Sequence, residues 1–115
     1  MIKALIIFSG LLAMLPAKAE LVLPMVTQDM HYADAKKVLI AAGWQPVHNL
    51  KISGSSLYAQ ELYEQGMLEV VDCISMELDG CRFYYAKKNQ TLEISTITRQ
   101  LKVEKMHVIN KKRNK

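Results

Sequence analysis

Residues 31–46, HYADAKKVLIAAGWQP, decide how this chain is read. Tyr32, Ala35, Leu39 and Ala42 recur at steps of three, four and three, with Val38 beside them, making one apolar stripe at the helical period. Asp34, Lys36 and Lys37 fall off the stripe and are expected to face water. Thr27 and Asp29 are candidate N-caps, and Asp34 sits early enough to favour the positive end of a helix. Gly43 supplies the left-handed residue that ends many helices. Trp44, the chain's only tryptophan, follows at once and is expected to fold back on the helix or on a sheet behind it. Pro46 cannot continue a helix and pushes Gln45 to extended backbone, so residues 44–48 read as a short strand or connector.

Upstream, residues 1–19 have the form of a secretory signal peptide, cleaved in the mature protein. Lys3 is the positive start, residues 4–15 are apolar, Pro16 breaks the run, and Ala17-Lys18-Ala19 is a small-x-small cleavage site. The apolar run is too short to span a bilayer comfortably, and no cysteine follows the cleavage site to carry a lipid. Export to the periplasm or the medium is the expectation. The mature chain would begin at Glu20 and hold 96 residues, enough for one small domain over 20–110 and a basic tail over 111–115. The net basic charge lies in the signal and the tail. Residues 20–110 carry 9 basic against 11 acidic side chains, so the body has no charge excess suited to nucleic acid. The tail is expected to be solvated, with contact to a membrane surface as its alternative role.

Leu21, Leu23 and Met25 alternate before the helix, with Pro24 marking edge-like chain. Beyond the connector, residues 49–56 read as a loop, flexible at Ser53-Gly54-Ser55-Ser56. Residues 57–65 match helical spacing through Tyr58 and Leu62, with Ala59 and Tyr63 beside them and Gly66 as the stop. A loop or a strand is the alternative. From Met67 the period changes from 3.6 to 2. Leu68, Val70 and Asp72 alternate with Glu69, Val71 and Cys73, a run apolar on both faces and suited to a central strand. Residues 82–86, 92–99 and a run from Leu101 continue as strands, with a polar turn over 87–90. Helices followed by strands indicate an α+β fold, one or two N-terminal helices packed on a three- to four-stranded antiparallel meander. Tyr32, Ala35, Leu39, Trp44 and Phe83 are the expected core residues.

Cys73 and Cys81 are the only cysteines, and an exported chain meets oxidising conditions, so a structural disulfide is expected. A tight turn at Asp79-Gly80 would leave Cys73 too far along its strand. The hairpin is therefore drawn with a wide loop closed by the disulfide. A redox or zinc role is the alternative, but C-x7-C without a nearby histidine matches neither pattern.

The helix motif Tyr32-x-x-Ala35-Lys36-x-x-Leu39-x-x-x-Gly43-Trp44-x-Pro46, together with Cys73-x7-Cys81-Arg82-Phe83, resembles small exported bacterial proteins of uncharacterised function. The order of helix and sheet more distantly resembles the beta-lactamase inhibitory protein fold, and the helix ending resembles PASTA modules. Both likenesses are architectural and bring no catalytic residues.

No catalytic constellation, metal site or cofactor is expected. His31, His48 and His107 are scattered, and Met25, Met30 and His31 are the nearest approach to a soft-metal set. Ser53, Ser55 and Ser56 have no marked base. Glu61 with Glu64, or Glu69 with Asp72, would be the carboxylate pairs of a glycosidase, and each reads more simply as a solvated face. Tyr58, Tyr63, Tyr84 and Arg82 are the candidate protein-contact residues, because exposed tyrosine and arginine concentrate binding energy. The expected function is non-enzymatic binding of another envelope protein. An inhibitor or immunity-type role, or a module for cell-wall or small ligands, is the alternative.

Overall fold

The computed structural model describes residues 25–74 and 78–109. The signal segment and the basic tail lie outside them. Helix α1 (Tyr32–Ala41) leads into strand β1 (Gln45–Pro46). A 3-10 turn (Ile52–Gly54) and helix α2 (Leu57–Glu64) follow, then β2 (Val70–Ile74), β3 (Gly80–Lys87), β4 (Gln90–Ile97) and β5 (Lys102–Ile109). The fold is α+β, two helices on a five-stranded antiparallel sheet, with one disulfide.

Tyr32, Ala35 and Leu39 form the buried stripe of α1. Neither expected N-cap is used. The helix starts after an extended His31 with no side-chain cap, and the Tyr32 N–H donates instead to the Leu101 carbonyl at the start of β5. Asp29 takes a left-handed φ of 75° and donates its N–H to Val103. These two backbone bonds fasten the helix start to the entry of β5, and the Tyr32 bond satisfies one of the N–H groups that a helix start leaves open. Both helices end alike. Gly43 and Gly66 have φ of 96° and 109°, and the following residues, Trp44 and Met67, donate back to Leu39 and Leu62. These are Schellman closures, which need a residue free to turn left-handed. Lys87 reinforces the first, its Nζ donating to the Ala42 carbonyl at 2.8 Å.

β3 is the central strand. β4 pairs along one edge, with Phe83 opposite Ile94 and Tyr85 opposite Leu92. β1 and β2 share the other edge end to end. Gln45 and Pro46 face Ala86 and Tyr85, while Val70 to Ile74 face Phe83 to Gly80. They amount to one edge strand interrupted by an excursion of about twenty residues that carries α2. The Tyr84 peptide spans the break, its N–H donating to Glu69 and its carbonyl accepting from Val47. The excursion's neck is closed by Asn49 N–H to the Leu68 carbonyl at 2.8 Å.

The run from Met67 was expected to supply a central strand, but β2 pairs only with β3 among the described residues. The excursion folds against its free edge. Asn49 Nδ2 donates to the Val70 and Val71 carbonyls, and Ser55 Oγ donates to Val71. These side chains occupy an edge that would otherwise invite another strand. Cys73 and Cys81 stand directly opposite one another and are disulfide-bonded.

The core lies between the helices and the inner sheet face, built from Phe83, Tyr85, Leu92, Ile94 and Val103 against Tyr32, Leu39, Trp44 and Leu62. Tyr32 stacks on Phe83 with ring centres 3.9 Å apart. No helix of the described residues is long and apolar enough to cross a membrane.

Candidate functional site

Two places gather polar chemistry, one on each face of β3. The inner one is built around Glu69, the last residue of the excursion before β2. Its side chain is 1 % exposed. Tyr32 Oη donates to Glu69 Oε2 at 2.5 Å, and Tyr85 Oη lies 2.5 Å from Tyr32 Oη. A hydroxyl has one proton, so with the Tyr32 proton on the carboxylate, Tyr85 donates to Tyr32. Lys36 closes the cluster, its Nζ 3.0 Å from Glu69 Oε2. Burial, above all, raises both tyrosine pKa values well above the usual range, and the neighbouring Glu69 charge pushes the same way. Lys36 was expected in water. It lies one turn beyond Tyr32 on the flank of the stripe, and this brings its ammonium over the buried carboxylate.

The cluster is densely bonded. Glu69 accepts from Tyr32 and Lys36, and Tyr85 reaches the same carboxylate at 3.5 Å. A shallow cleft of about 220 Å³ beside it is lined by Lys36, Pro46, His48, Leu68 and Glu69 itself. Within the cluster the carboxylate is held between Tyr32 and Lys36. Asp72, its suggested partner, is engaged elsewhere. It accepts the N–H groups of Ser56 and Cys73, and the Ser56 bond leads in holding its carboxyl below the usual carboxylate range. Ser55 and Ser56 are structural, the first bonded to Val71 and the second capping α2 through the Ala59 N–H. Among the described residues no group of three or more His, Cys, Asp or Glu could hold a metal ion.

The outer place lies where the edge strand breaks. Alternation along β3 sends Phe83 and Tyr85 inward and Arg82 and Tyr84 outward. Tyr84 floors a groove of about 290 Å³ walled by Val47, Leu50 and Val71, with His48 and Lys51 on its rim. Leu50 is a large apolar side chain left 83 % exposed among the described residues. Beside the groove runs a polar row. Tyr84 faces Glu93, and Glu93 faces His107. The Glu93 carboxylate lies 3.4 Å from Arg82 and 3.5 Å from His107.

Of the contact residues proposed from sequence, Arg82 and Tyr84 share this face. Tyr63 joins it indirectly, its hydroxyl 2.5 Å from Nε2 of His48 on the groove rim. Tyr58 does not. It is buried, with the Arg99 guanidinium 3.8 Å from its ring centre, because it falls on the same α2 stripe as Ala59 and Leu62. Tyr32, Ala35, Leu39, Trp44 and Phe83 are all buried. Leu50 and Val47 were not singled out in the sequence, where nothing shows that the loop carrying them stays open.

Comparison with protein-family models, with curated proteins and with solved structures finds no match.

Proposed function

We propose that this is a small exported, non-enzymatic protein that binds another protein of the cell envelope through the outer face of its sheet. The observation that carries this reading is the open apolar groove at the strand break, lined by Val47, Leu50, Val71 and Tyr84 with His48 and Lys51 on its rim. Aromatic and aliphatic anchors ringed by polar groups are the usual composition of a binding patch. The groove is prebuilt, since Asn49 and Ser55 tie its walls to β2, and a partner would pay little ordering cost. The disulfide is compatible with an oxidising compartment. Glu69 and Asp72 are each engaged in internal hydrogen bonds, Glu69 with Tyr32 and Lys36 and Asp72 with the Ser56 and Cys73 N–H groups, which supports a structural role for them over acid–base work.

The test is retention of envelope proteins on immobilised residues 20–115 with the disulfide intact, beside a Leu50→Ser, Tyr84→Ala double variant. The expected result is a protein held by the parent chain and lost by the variant. Retention of glycan alone, or of nothing, would sink the reading.

A further inference from the structure

We infer that this protein forms a two-fold dimer in solution, in which β5 of one copy pairs antiparallel with β5 of a second copy and joins the two sheets into one. This goes beyond the protein-binding reading and does not rest on it, since β5 and the outer groove lie toward opposite edges of the sheet. Among the described strands β5 pairs only with β4. The two-residue turn at Lys88-Asn89 fixes which way its backbone points. Lys87 and Gln90 close that hairpin, so Gln90, Leu92 and Ile94 bond toward β3, and Thr91, Glu93 and Ser95 bond toward β5. Ile109, His107 and Lys105 are thereby engaged, while the N–H and C=O groups of Met106 and Val108 point off the sheet. Among the described residues no other backbone group takes them. The start of the same edge is closed. Val103 exchanges bonds with Asp29 and Met30, and Glu104 is the extra residue of a bulge. Covers and bulges of this kind keep sheet edges from pairing, and from Met106 to Ile109 the edge carries neither.

The sequence of that open stretch matches itself. A two-fold axis through His107 sets Met106 opposite the second copy's Val108, and Val108 opposite the second copy's Met106, so both free sets of N–H and C=O groups are met. These two side chains are partly buried at the rim of the core, and each would cover the other's open side. On the outer face Lys105 meets the second copy's Ile109. The two His107 imidazoles meet at the axis, each with its own Glu93 carboxylate at 3.5 Å. Neighbouring registers fail. An axis through Met106 opposes Lys105 to His107 twice. One through Lys105 runs Met106 into the bulge at Glu104, and one through Val108 leaves Met106 opposite no described residue. An unrelated strand would have to reproduce this pattern, whereas a second copy supplies it by symmetry.

The test is sedimentation of residues 20–115, with the native disulfide intact, over a concentration series to about 1 mM. A monomer–dimer equilibrium is expected. Val108→Pro removes an outward N–H without touching the β4 ladder and should abolish the dimer, with an unchanged circular dichroism spectrum showing that the chain folds. Val108 also packs on the core, so two cysteine variants test the register independently. With oxidised glutathione as oxidant, His107→Cys should cross-link into a covalent dimer, because facing residues at the axis come within disulfide reach. Lys105→Cys, also exposed, should remain monomeric on a denaturing gel. A monomer throughout the concentration series overturns the inference. So does a dimer that survives in folded Val108→Pro, which assigns the contact to another face, or cross-linking of Lys105→Cys as readily as His107→Cys. If Val108→Pro does not fold, the cysteine variants decide. An empty envelope pulldown would sink the protein-binding reading and leave this dimer standing.

Discussion

Glu69 and Glu93 lie on opposite faces of one sheet and meet similar partners, each a base and a tyrosine-bearing strand. Glu69 sits under α1, desolvated, its charge balanced by Lys36 and two tyrosine hydroxyls. Glu93 is part-buried, 13 % exposed, but its partners Arg82 and His107 are open to water, 43 % and 55 % exposed. The difference is the medium around the partners. In the buried cluster, losing one side of the pair leaves an uncompensated group in low dielectric. Solvent-exposed partners are hydrated whether or not the carboxylate is present, so their ion pairs contribute little. The inner cluster therefore acts on stability, while the outer one shapes a face.

The largest break in that comparison comes from removing each carboxylate in turn. Glu69→Ala should lower stability by about 3–5 kcal/mol, since it strands the Lys36 charge and the tyrosine hydroxyls. Glu93→Ala should cost less than about 1 kcal/mol. Denaturant midpoints of the two variants measure the gap directly, and equal losses would refute the division.

Alkaline titration sharpens it next. The folded-state pKa values of Tyr32 and Tyr85 lie above the ordinary 10.0, so the stability they contribute is complete below that pH. As pH rises past it, the unfolded chain releases protons that the folded chain retains. Stability should then fall by about 1.4 kcal/mol per pH unit for each tyrosine. Tyrosinate absorbance from these two rings should appear together with loss of helical circular dichroism. Ionisation of both without unfolding would contradict the buried network.

The helix ends offer a finer comparison. Alanine at either Gly43 or Gly66 forces a Cβ into left-handed backbone, worth about 1–2 kcal/mol. At Gly43 that Cβ would also meet Lys87 Cε at 3.3 Å, whereas at Gly66 it meets nothing within 4 Å. Gly43→Ala should therefore be the more damaging by thermal melting, because it disturbs the lysine that closes α1. The smallest effect concerns Thr96, whose buried hydroxyl has no hydrogen-bond partner among the described residues. Thr96→Val should leave the melting temperature unchanged or raise it slightly, as removing an unmet polar group relieves a cost.

What was legible in the sequence is local. The stripe of α1 with its Gly43 stop, the alternation of Phe83 and Tyr85 against Leu92 and Ile94, and the facing cysteines all declare themselves within a few residues. What escaped is long-range. Gln45-Pro46 is too short to show a period, so nothing in it announces pairing with Ala86 and Tyr85 some forty residues on. Lys36 looks like any surface lysine until Glu69, far along the chain, arrives beneath it. The two-faced apolar run around Val70 has the composition of a central strand. It differs from one only because Asn49 and Ser55 fold back over its edge. Tyr58 is the instructive local case. The stripe it shares with Leu62 was visible and outweighs its type as a contact residue.

The interrupted edge strand has a consequence for how such a chain can vary. Gln45-Pro46 and Val70–Ile74 are each held in register by β3, and the Asn49–Leu68 bond closes the neck between them. The length of the excursion is thereby uncoupled from the alignment of the sheet. Extending it near the exposed turn at Ser53-Gly54 would add only loop-closure entropy, about 0.6 kcal/mol for each doubling. The excursion can thus be lengthened or replaced by insertion while the inner carboxylate cluster stays in place, a separation of the part free to diversify from the part that must not.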